Sequence, residues 1–135
     1  ATPVDPQYTW DLTEFYSSKA AWETELERLR SEVDFLAPYA GKLGDDAATL
    51  LAALEANSTY GRELSRLWTY ASNLRNTNLG APKGQEMVGR MQALAQSASA
   101  AQSFFAQTAG TLFWFHLYLS KDQKAVKELL PFCSD

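Results

Sequence analysis

The sequence predicts an all-α protein, an antiparallel bundle of three long helices with an extended aromatic lead-in and a short C-terminal helix. Three observations carry that prediction. Apolar side chains recur at alternating steps of four and three along Trp22, Leu26, Leu29, Val33 and Leu36. The same rhythm returns along Met87, Met91, Leu94, Ala98, Ala101 and Phe105, and it is the period of one buried helix face. Loop-forming clusters fall between these stretches at 39–44 and 76–82, and connections that short make consecutive helices antiparallel neighbours.

The chain divides into a docking segment (1–17), a three-helix region (18–110), and an apolar segment with a short terminal helix (111–135). In the first, Pro3 and Pro6 oppose helix. Tyr8, Trp10, Leu12, Phe15 and Tyr16 supply rings and apolar area, too many to leave wet, so the segment is expected to dock on the body. Ser18 then caps a first helix over about 19–37, which Pro38 stops because the residue before proline disfavours the helical region. Gly41 and Gly44 punctuate the turn that follows.

Asp45 or Asp46 caps a second helix reaching about residue 75. Its apolar positions are Leu50, Leu51, Leu54, Leu64, Leu67, Trp68, Ala71 and Leu74. Asn57, Ser58 and Gly61 soften its middle, but no proline intervenes, so one long helix is favoured over two. Pro82 fits the first turn of the third helix. Alanines and serines make that helix thin from Ala93 to Ser103, and Gly110 is expected to close it. Thr111 to Leu119 is an apolar run of high β-propensity. Ser120 and Gln123 then open a short helix with Val126, Leu129 and Leu130 inward and Lys121, Lys124 and Lys127 outward.

Composition bounds the function. Hydrophobic residues make up 46%, charged residues 21%, and the net charge is −4 with the signs interleaved. No nucleic-acid surface is expected from such a chain, since three lysines at helical spacing make a thin patch. No run reaches the roughly 20 apolar residues of a membrane span. The chain has one histidine, His116, and one cysteine, Cys133, short of the three or four ligands of a zinc site. His116 reads as a core or interface residue, and Cys133 has no adjacent cation to activate it. Glu14, Glu23, Glu25 and Glu27 lack histidine support and read as solvated surface rather than a metal cluster. No catalytic residue and no metal ligand is assigned.

Two groups remain as candidate sites. Tyr60 and Trp68 lie eight residues apart and so near one face, while Tyr70 points elsewhere. Helix packing is the plain reading of these rings; contact with a peptide in an enclosed cavity is a sharper reading that only the family resemblance described below implies. Phe113, Trp114, Phe115 and Tyr118 form the second group, a candidate interface for a partner or a second copy.

The segment Trp10-Asp-Leu-Thr-Glu-Phe-Tyr16, with a helix opening near Ala21-Trp22, resembles the start of oligoendopeptidase F-like (M3 family) zinc metallopeptidases. Tyr39-Ala-Gly-Lys-Leu-Gly44, Leu50-Leu-Ala-Ala-Leu54, Leu67-Trp-Thr-Tyr-Ala-Ser72 and Ala101-Gln-Ser-Phe-Phe105 continue the likeness in order. It covers about residues 8–106 and not the tail. Each motif alone is common helical vocabulary; their order and spacing carry the match. The resemblance implies a non-catalytic N-terminal helical domain that caps an enclosed cavity and limits access to short peptides. Zinc and its H-E-x-x-H helix belong, on this likeness, to a catalytic domain absent from these residues. His116 is followed by Leu117, Tyr118 and Leu119, so no catalytic role of the family transfers to it.

The implied partner is that catalytic domain. The alternative is a stand-alone helical interaction or dimerisation module that associates through 111–119. An enzyme in its own right is disfavoured by the ligand inventory. A cytoplasmic location is favoured, with a secreted or periplasmic one if Ala1 follows a cleaved signal peptide.

Overall fold

A computed structural model describes residues 11–77, 79–119 and 128 of the chain. Among the described residues every regular element is helical, as the periodicity requires. The three long elements are α1 (Lys19–Ser31), α2 (Ala47–Thr77) and α3 (Pro82–Leu119). Short 3-10 turns occupy Leu12–Glu14 and Ala37–Tyr39. They group into two compact units, one formed by 1–31 with 63–95 and the other by 32–62 with 96–135.

In the first unit α1 is opened by Ser18, whose Oγ accepts from the Ala21 amide at 3.1 Å. Trp22, Leu26 and Leu29 of α1 are buried with Leu67, Tyr70 and Ala71 of α2 and with Met87, Val88, Met91 and Leu94 of α3. Trp22 meets Leu67 and Tyr70, while Arg28, later in α1, meets Glu63, earlier in α2. These two stretches therefore run in opposite directions.

Helix α1 ends at Ser31, six residues before the position the sequence suggests. Ser31 turns its hydroxyl back onto the Arg28 carbonyl at 2.7 Å, offering the backbone an alternative partner at the helix end. The amides of Phe35 and Ala37 then bond three residues back, to Glu32 and Asp34, tightening the chain ahead of Pro38. Val33 is half-buried, whereas Leu36 is buried in the second unit. The apolar seam read as one stripe is thus divided between two cores.

The second unit is built on Leu36, Leu43, Ala47, Leu50, Leu51, Ala53 and Phe105, with Phe35, Tyr39, Leu54 and Phe104 packed against them. Gly41 has φ of 72°, a left-handed conformation that a side chain would strain, and it turns the chain so that Leu43 can enter this core. Asp46 caps α2 by accepting from the Thr49 amide at 2.6 Å. α2 continues through Asn57, Ser58 and Gly61 as one helix. There the Arg62 guanidinium donates to Ser58 and Thr59 on the exposed face.

Helix α3 begins at Pro82 and does not close at Gly110; it runs through the expected boundary to Leu119. A glycine inside a helix costs only about 1 kcal/mol, which a helix already nucleated over seven turns tolerates. The apolar run 111–119 has a composition that fits strand or buried helix equally, and length decides for helix. Near the α2–α3 turn, a Cβ on Gly84 would lie 2.8 Å from Arg75 Cα. Gly84→Ala will therefore lower stability by about 1–3 kcal/mol, even though alanine favours helix. Gly89→Ala, which meets nothing within 4 Å, will instead raise it by about 0.5–1 kcal/mol. Thermal melts of the pair check both signs.

Candidate functional site

Among the described residues a dense arrangement of rings and charges lies in the first unit, where the end of the lead-in meets α1 and α2. Tyr16 presents its edge to Tyr70 with ring centroids 5.5 Å apart, and Tyr70 in turn stacks on Trp22 at 6.5 Å. Trp22 is fully buried, and its indole N–H donates to the Leu67 carbonyl at 3.0 Å, so burial leaves no donor unpaired. Cations cover both ends of this stack. Arg66 lies over the Tyr16 ring at 5.1 Å and Arg90 over Trp22 at 5.7 Å.

The acids read as surface are mostly engaged by arginines. Arg90 pairs with Glu23 and Glu27 at 3.4 and 3.3 Å, bridging two like charges that share one face of α1 by their i,i+4 spacing. Arg28 bridges Glu25 on its own helix and Glu63 on α2. The hydrogen bond from Arg28 holds the Glu25 carboxyl below the usual carboxylate range. Bonds to Glu25 and Glu63 push the Arg28 guanidinium up. Partial burial raises the Tyr16 phenol, with Glu25 adding to it. Half-exposed pairs like these contribute about 0–1 kcal/mol each; they fix orientation more than they stabilise. Among the described residues no group of three or more His, Cys, Asp or Glu is placed to hold a metal. A zinc ion does not fit this described donor set.

Of the three rings singled out on α2, the structure separates one from the others. Tyr60 is 4% exposed and stacks on Phe35 in the second unit, with centroids 4.5 Å apart. Tyr70 is 7% exposed, within the stack above. Trp68 is 40% exposed. Eight residues along a helix advance about 80° beyond two turns, and two residues advance about 200°. Tyr60 and Trp68 therefore stand about 80° apart around α2, and that offset leaves one buried and the other exposed. Tyr70 and Trp68 sit on nearly opposite sides of α2. The Trp68 position counted toward the core is a solvent-facing one, and Trp68 is the most exposed of the three.

Phe113, Trp114, Phe115, Tyr118 and His116 lie on α3, but their side chains are outside the described part. Tyr8, Trp10, Cys133 and the three terminal lysines also lie outside the described residues, as does all of the expected terminal helix except Glu128. No described helix is long and apolar enough to cross a membrane. Sequence reasoning missed Arg66, Arg90 and the pairing of Arg28 with Glu63, because an arginine on a charged helix face carries no signal of what it will meet 35 to 67 residues away.

No family model matches the chain, and no solved structure matches it significantly. Curated proteins do. The chain is similar to the Group B oligopeptidase PepB of Streptococcus agalactiae, 29% identical over 102 residues, which is 76% of this chain and 17% of the relative. It is similar to the plasmid oligoendopeptidase F of Lactococcus lactis subsp. cremoris, 32% identical over 92 residues, or 67% and 15%. The oligopeptidase PepF of Bacillus subtilis gives 31% over 100 residues, 72% and 15%. The chain spans about one sixth of the length of these relatives. It is a helical relative of one segment of the oligoendopeptidase F-type, M3-family peptidases.

Proposed function

We propose that this chain is a non-catalytic N-terminal cap that limits substrate access in an oligoendopeptidase F-like zinc peptidase acting on short peptides. The single observation that carries the reading is the lopsided match. Two thirds to three quarters of this chain align with only 15–17% of peptidases named for cleaving oligopeptides. In this reading residues 18–110 form the cap and 1–17 dock on it. The partner is the zinc-bearing catalytic part of the same cytoplasmic enzyme. The chain's own contribution is steric: rigid helices wall off a cavity, and hydrolysis takes place elsewhere.

Trp68 is the residue of this segment placed to touch substrate. An exposed ring can cover an apolar peptide side chain, a contact worth about 0.5–1.5 kcal/mol, or roughly two- to tenfold in affinity. In the full-length peptidase Trp68→Ala will raise KM for oligopeptides by that factor with zinc content unchanged; an unaltered KM removes the assignment. The wider reading is tested by the codons after Asp135, which should encode an H-E-x-x-H helix. If they do not, and light scattering shows concentration-dependent dimers, the chain is the interaction module that associates through Phe113, Trp114, Phe115 and Tyr118.

A further inference from the structure

We propose that Leu12–Tyr16 is a strap latched onto α2 by Arg66, opening as a unit of its own while the helices beneath stay folded. No side chain of the Leu12–Glu14 turn is buried, and Phe15 and Tyr16 are only half-buried. The strap therefore brings little apolar burial to hold it down. Its internal bonds amount to one turn: Asp11 accepts from the Thr13 amide, and the Phe15 and Tyr16 amides both donate to the Leu12 carbonyl. A single turn released from the body does not persist in water, so these amides report the opening.

Among the described residues its polar hold on the body converges on one side chain. Arg66 Nη2 donates to the carbonyls of Phe15 at 2.6 Å and Glu14 at 3.4 Å, and the same guanidinium lies over the Tyr16 ring. A planar guanidinium can serve carbonyls in its plane and a ring on its face together, which an ammonium cannot. Arg66 and Tyr70 stand four residues apart on one face of α2. The cation and the ring that receive the strap are thus preset by the helix. Opening uncovers the Tyr70 ring, beside Trp22, and frees the cation next to it. A segment with few buried contacts above a well-packed body is the kind that opens locally.

Hydrogen exchange on the whole chain tests this. In Arg66→Gln the amides of Phe15 and Tyr16 will exchange roughly tenfold faster, with Leu26, Leu29 and Leu67 unchanged. Tyr16→Phe will leave both sets as in the wild type, because the ring and not the hydroxyl makes the contact. Unchanged exchange at Phe15 and Tyr16 in Arg66→Gln overturns the latch. A parallel rise at Leu26, Leu29 and Leu67 overturns the independence of the strap.

Discussion

Trp22→Ala will lower the unfolding free energy by about 3–5 kcal/mol, the range for emptying a buried aromatic site. Trp22 is fully buried, stacks on Tyr70, lies under Arg90 and donates its indole N–H to Leu67. Alanine removes all three contacts and leaves a cavity between α1 and α2 that rigid helices cannot fill. The loss is a large share of the stability usual for a domain this size. Urea unfolding gives the number, and Trp68→Ala supplies the comparison. Trp68 is 40% exposed, so its removal should stay within about 0.5 kcal/mol. A Trp22 effect under 1 kcal/mol would show that α1 does not pack through this ring.

Leu50→Ala will cost about 2–5 kcal/mol, with the second unit carrying the damage. Leu50 is fully buried among Leu36, Leu43, Ala47, Leu51 and Phe105. Its neighbours come from the 3-10 turn region, from α2 and from α3, so no single element can shift to close the gap. The same denaturation series measures it. Exchange at the amides of Leu43 and Leu51 should rise with it, marking where the packing was lost.

The sequence made the helices legible because their caps and breakers are local. Ser18, Asp46 and Pro82 each do chemically what their residue type does at a helix start, and each helix begins beside them. The end of α1 was misread because Leu36 continues the apolar spacing while belonging to the other core. The end of α3 was misread because Gly110 is a breaker only where nothing outweighs its cost. The aromatic residues of α2 were harder. Spacing says which residues share a side, but not which side meets a neighbour, and that depended on Phe35, Trp22 and Tyr16 arriving from elsewhere in the chain. The contacts of Arg66 and Arg90, and that of Arg28 with Glu63, were invisible for the same reason: each joins segments far apart in sequence, unlike the Arg28–Glu25 pair within α1.

The two compact units interleave along the chain, one taking residues 1–31 and 63–95 and the other 32–62 and 96–135. During synthesis, then, neither core can be completed from a contiguous first half. A chain made only as far as residue 60 has α1 without the part of α2 it packs on, and the second core without Phe105. Vectorial folding, which lets ordinary tandem domains finish one at a time, has no halfway point here, and a premature stop near residue 90 would leave two unfinished cores for proteases rather than one finished piece.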